Sequence, residues 1–244
     1  MAMPSNNPRG SRTSVRTYHT RFGVNEEPIS EHGMWINGKK DGIDWTDVIV
    51  RNGVAFGEVT RMGRAERRAE QGNLRNDGLP KGGALRRPEG DYDDPTAVLT
   101  GAWGRNQYGK ATVFSRNPTE KYYQEVEIRL LSTIRRGICT GYEVFWRCLK
   151  TGAGYAEIVR WNGVVRDFTS LKKNTGPQFG VKDGDVVEAS IVGNVIKGFV
   201  NGVEVVSATD DTFDSGSPGI GFNFGVSNTN VDFGLTSFEV DTFD

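Results

Sequence analysis

The chain predicts an all-β fold, a two-sheet antiparallel sandwich built as one domain over residues 22–244, with a flexible basic arm at 1–21. Three observations carry this. Alternating apolar and polar residues recur in short segments along most of the chain, at the period of two that a half-buried strand requires. Asn201-Gly202 separates two such segments, and an Asn-Gly pair there is a strong hairpin signal because both turn residues must adopt φ > 0. Thirty-two glycines and 13 phenylalanines in 244 residues, with little helical periodicity, fit short strands joined by tight turns.

In chain order, residues 1–21 hold Arg9, Arg12, Arg16 and Arg21 with no acid beside them and almost nothing to bury. Such a segment is expected to be disordered alone and ordered by a neighbour, so these arginines are read as assembly contacts. Residues 35–38, 44–50 and 54–59 read as short strands around Gly-rich turns. Residues 61–90 change character, being rich in Arg and Gly. They form a long insertion, either a contact surface for an acidic partner or neighbouring subunits, or a solvated loop.

Strands are then expected over 107–114, 122–131 and 138–149, and over 155–161 and 164–171 joined by an Asn162-Gly163 turn. In the second of these Val126, Ile128 and Leu130 face one way and Glu125, Glu127 and Arg129 the other. The last stretch reads as strands over 185–191, 195–200, 203–208, 218–226 and 231–240.

Net charge is −1, so the whole molecule exerts no long-range pull on nucleic acid or membrane. The arm carries no base-reading motif, and no specific nucleic acid is expected as a partner. No apolar run approaches the roughly 20 residues of a membrane span, and the first 21 residues lack the apolar region of a secretory signal. Cys139 and Cys148 would sit about 30 Å apart at the ends of one strand, which argues against an internal bridge and leaves them as buried apolar groups or free thiols.

Several segments together resemble the concanavalin A-like lectin and glucanase superfamily, including laminin-G-like modules: 124–130 (QEVEIRL), 141–147 (GYEVFWR), 156–163 (AEIVRWNG), 183–189 (DGDVVEA) and 214–222 (DSGSPGIGF). The resemblance covers 95–244 well and 22–60 loosely, and it implies a two-sheet antiparallel jelly roll. That architecture hosts hydrolases, lyases, lectins and virion components alike, so it does not fix an activity.

A hydrolase of this superfamily would carry two glutamates flanking an aspartate along one strand. Glu125-Val126-Glu127 lacks the aspartate, and the next residue on that face is Arg129, so a charge ladder with Arg147 and Arg160 is the plainer reading. A lyase would need a base such as Tyr142 or Tyr155 beside Arg129 or Arg147; core packing and charge pairing is the preferred account of those residues. Glycan binding asks less, only an aromatic face and hydrogen-bonding groups. The candidate residues are Trp103, Glu127, Arg129, Glu143, Arg147, Arg160 and Trp161. Asp91, Asp93 and Asp94 could offer hard oxygen ligands to a structural Ca²⁺, which the resemblance implies and the spacing does not show. The expected function is non-enzymatic recognition within a larger assembly, such as a phage decoration or fibre-associated subunit at a virion surface or outside the cell, in contact with protein subunits and polysaccharide. The alternative is a secreted polysaccharide-active enzyme or a carbohydrate-binding module.

Overall fold

The computed structural model describes residues 14–38, 46–57, 94–121, 124–135, 138–164, 167–224 and 230–243. Arg9, Arg12, Asp91, Asp93 and the 61–90 insertion lie outside the described residues.

Among the described residues fifteen strands form two sheets. The first runs β13(Val203–Thr209), β12(Val195–Val200), β11(Val186–Val192), β6(Asn106–Ser115), β15(Phe233–Phe243), β4(Val54–Gly57), β3(Val48–Arg51), with β1(Ser14–Thr20) also on β15. The second runs β10(Phe168–Thr175), β9(Tyr155–Val164), β8(Ile138–Arg147), β7(Gln124–Arg135), β14(Ser217–Phe224), β5(Thr96–Leu99), β2(Trp35–Asn37). All pairings between these strands are antiparallel.

The core lies between the sheets. From the seven-stranded sheet it receives Val126, Ile128 and Leu130 of β7, Tyr142, Val144 and Trp146 of β8, and Ala156 and Ile158 of β9. From the other sheet come Ala111, Val113, Val187, Ala189, Ile191, Phe238 and Val240. Alternation places the intervening residues of β7, β8 and β9 on the outer face, where Phe145, Val159 and Trp161 belong to a second, smaller apolar cluster. That outer face holds the charged side chains.

Three expectations are corrected. Ser14–Thr20, assigned to a flexible arm, is a strand whose residues from Arg16 to Thr20 lie opposite residues from Thr242 to Phe238 of β15. It holds because its inward side chains find partners: Tyr18 meets Trp35 edge to face at 5.7 Å, and the Arg16 guanidinium covers the Trp103 ring at 3.9 Å. Asn162-Gly163 is not a turn. β9 continues to Val164 because β8 runs opposite it, Thr140 against Asn162 and Ile138 against Val164, and β10 starts only at Phe168. Val231 and Asp232 lie in a short 3₁₀ turn (Asn230–Asp232) ahead of β15. Over the described residues the expected 218–226 strand is observed as Ser217–Phe224, and residues 225 and 226 lie outside them.

The Asn201-Gly202 hairpin forms as read, with φ of 51° and 78° at the two positions and Val200 opposite Val203. Cys139 and Cys148 are free and buried. Among the described residues no helix is long and apolar enough to cross a membrane.

Candidate functional site

The outer face of the seven-stranded sheet carries a dry ionic hub. Arg129 stands at its centre on β7 with none of its surface exposed. Its guanidinium lies 2.9 Å from Glu127 two residues earlier on the same face, 3.0 Å from Glu143 directly across on β8, and 3.5 Å from Asp94 just ahead of β5. Glu127 is 1% and Glu143 4% exposed. The Trp161 indole N–H donates to Glu143 at 2.6 Å, and the Arg129 guanidinium lies 5.3 Å from the Trp161 ring centre.

Local sequence makes room for this. Gly221 of β14 sits beside the hub, and a Cβ there would come within 2.1 Å of a Glu127 carboxylate oxygen and 3.2 Å of Arg129 Nε. The glycines of the 217–224 strand thus leave space on the charged face, while Ile220 and Phe222 fill the core on the other.

Burial governs the acids. Lost hydration raises Asp94 to about 7 against the opposing pull of Arg129, and raises Glu125 to about 8 against the hydrogen bond from the Tyr155 hydroxyl. Glu127 is pushed well above the ordinary carboxylate range by burial first and then by Glu143 and Asp94. Glu143 rises through burial despite Arg129. One guanidinium cannot keep this many neighbouring carboxylates charged away from water, so the acids hold protons among themselves, and Asp94 and Glu127 share a hydrogen bond. Burial also pushes the Cys139 thiol, 3.8 Å from Arg129, up to about 12, so it is no nucleophile.

Of the residues expected to form one site, Glu127, Arg129, Glu143 and Trp161 come together. Arg147 shares their face and lies opposite Glu125 in register, but its guanidinium donates to the carbonyls of Ala153, Thr119 and Glu120. Arg160 points to the other side of its strand and pairs with Asp210 at 2.6 Å, so the expected ladder with Glu127 does not form. Trp103 stands in the β5–β6 connection under Arg16, which also donates to the carbonyls of Thr100 and Ala102. Arg16 is thereby engaged within its own chain. Arg21 is exposed and lines a recess of about 570 Å³ over β1, β15 and β6, with His19, Lys110 and Glu239.

The hub also contains residues that the sequence reading assigned elsewhere or passed over. Asp94 turns to Arg129, and Glu157 of β9 accepts from Ser170 at 2.6 Å and pairs with Lys173 at 2.7 Å. Parity along β9 would have placed Glu157 beside Trp161; nothing local in the sequence brings Asp94 to Arg129. Among the described residues no group of three or more His, Cys, Asp or Glu is arranged to hold a metal ion.

No protein-family model and no curated protein matches this chain. Solved structures do. β-Agarase B from Zobellia galactanivorans superposes at a TM-score of 0.52 with 8% identity, over 92% of this chain and 91% of that one. A structure described with endo-acting O-glycanases of the human gut microbiota superposes at 0.51 with 10% identity, over 95% of this chain and 100% of that one. The fold is a concanavalin A-like jelly roll. In this jelly roll the ionic hub occupies the outer face of the seven-stranded sheet, and the core fills the space between the two sheets.

Proposed function

We propose that the chain is a non-enzymatic glycan-recognition protein whose seven-stranded sheet faces a polysaccharide, with the Arg129 hub bracing that face. One observation carries the reading: Glu125 and Glu127, the carboxylates nearest to a hydrolytic pair along one strand, are both buried, Glu127 against Arg129 and Glu125 under the Tyr155 hydroxyl. Retaining hydrolysis needs two carboxyl groups about 5 Å apart, one charged and one protonated, both reaching the sugar. Here one reaches the Arg129 guanidinium and the other the Tyr155 hydroxyl instead. The likeness in fold to a protein named as an agarase and to one described with O-glycanases directs the search for a ligand toward carbohydrate.

The test is a panel of neutral and uronic-acid polysaccharides assayed for binding, for reducing ends and for unsaturated products. Binding without turnover is expected. Product formation that disappears in Glu127→Gln would install the enzymatic reading in its place.

In the same reading the protein is a subunit of a larger assembly, such as a virion decoration or fibre-associated protein, fastened through Arg9, Arg12 and the Arg-rich 61–90 stretch. Because Ser14–Thr20 is a strand of the sandwich, the informative deletion is 1–13, which spares it. Loss of incorporation into the parent particle, with the jelly roll still folded, is expected; unchanged incorporation overturns this part.

A further inference from the structure

The hub is buried, but the sheet does not end there. Its outermost strand, β10, carries Phe168, Ser170 and Lys173 on the hub's face, opposite Trp161, Val159 and Glu157 of β9. Phe168 is 50% exposed and packs on Trp161 with ring centres 5.4 Å apart, so the buried indole fixes an aromatic ring that water still reaches. Beyond it the Ser170 hydroxyl and the Lys173 ammonium converge on the two oxygens of Glu157 at 2.6 and 2.7 Å, and the ammonium also sits 3.8 Å from the centre of the Tyr155 ring. The Lys173 side chain is 43% exposed, which turns its remaining N–H donors to solvent.

From these contacts we infer that Phe168, Ser170, Glu157 and Lys173 form the line of contact for an uncharged pyranose polysaccharide. This rests on the carbohydrate reading above and names where, and to which class of chain, the sheet binds. An apolar ring face followed by donors and acceptors already held in place is the complement of a sugar, which offers C–H faces and hydroxyl edges. The charges on the strip cancel, one ammonium against one carboxylate, so it provides no net attraction for a uronate or sulfate. At about 3.3 Å per residue the strand from Phe168 to Thr175 is long enough to underlie several sugar rings and not only one.

The edge of β10 is poorly suited to the competing use, pairing with a strand of another protein. Its register shifts between Ser170 and Lys172, and Lys172 and Lys173 stand there, both features that discourage edge-to-edge addition. The ligand is accordingly placed on the face of the strand.

The test is affinity electrophoresis of the full chain through gels containing neutral β-glucan, neutral galactan or an acidic uronan. The wild type is expected to be retarded by a neutral polymer and not by the uronan. Phe168→Ala should weaken that retardation about tenfold, Phe168→Tyr should restore it, and Thr169→Ala, on the opposite face, should leave it unchanged. Circular dichroism confirms that each variant folds. Wild-type retardation that survives Phe168→Ala, or retention by the uronan alone, overturns this assignment while leaving glycan recognition standing. Absence of binding to every polymer overturns both.

Discussion

β7 has two faces, both dry, and they are held by opposite means. On one side Val126, Ile128 and Leu130 enter the apolar core; on the other Glu125, Glu127 and Arg129 enter the ionic hub, and all six are at most 6% exposed. The core residues lose nothing by leaving water and gain contact with every neighbour. The hub residues forfeit hydration and recover it only through named partners, so their stability depends on each member being present and in a suitable protonation state. The core should therefore answer to volume, and the hub to charge and pH.

The largest effect should come from removing the Arg129 guanidinium. Arg129→Leu leaves Asp94, Glu127 and Glu143 facing one another without a cation, and should cost about 3–5 kcal/mol of unfolding free energy in urea near pH 8. Near pH 4, where the orphaned acids can all hold protons, about half or more of that loss should disappear. An equal loss at both pH values would break the distinction between the two faces. Ile128→Ala, one residue away and pointing into the core, should cost about 3 kcal/mol through transfer and cavity formation, with no dependence on pH.

The wild-type protein should itself report the hub. Glu125 and Asp94 titrate at about 8 and about 7 in the folded chain, above the ordinary values of 4.5 and 3.8. The folded state therefore holds protons that the unfolded chain has released, and this contribution is intact below about pH 4 and declines as pH rises through about 7 and 8. Glu125→Gln retains an acceptor for the Tyr155 hydroxyl without a charge to bury, and should flatten the fall in urea midpoint between about pH 5 and pH 9. A slope unchanged by the substitution would remove Glu125 from the account.

The same contrast explains what could be read from the sequence. Strand faces were legible wherever alternation was clean: β7 displayed its core and hub residues in order, and Glu143 fell opposite Arg129 by pairing. Alternation also held the means to separate Arg160 from Trp161, since adjacent residues of a strand point to opposite sides. Turn chemistry was legible only where the partner strand agreed. Asn201-Gly202 makes a hairpin, as does Asn52-Gly53 with φ of 52° and 78°, whereas Asn162-Gly163 stays in β9 because β8 extends alongside it. Composition hid β1, whose hold comes from Trp35 and Trp103, far along the chain. It hid the role of Asp94 for the same reason, because its partner is 35 residues away.

The smallest effect tests whether burial, and not the mere presence of an ion pair, sets the value of an arginine on this sheet. Arg160 meets Asp210 at 2.6 Å, closer than any of the ion pairs of Arg129, and also donates to Thr212 at 2.8 Å. Its side chain is 26% exposed, so water screens the pair and replaces the lost contacts when the guanidinium is removed. Asp210 keeps the Tyr142 hydroxyl as a donor at 2.7 Å. Arg160→Ala should cost about 0.5–1 kcal/mol in urea, and less in molar salt. A cost matching that of Arg129→Leu would show that contact distance outweighs desolvation here, and the contrast between the two faces of the sheet would need a different cause.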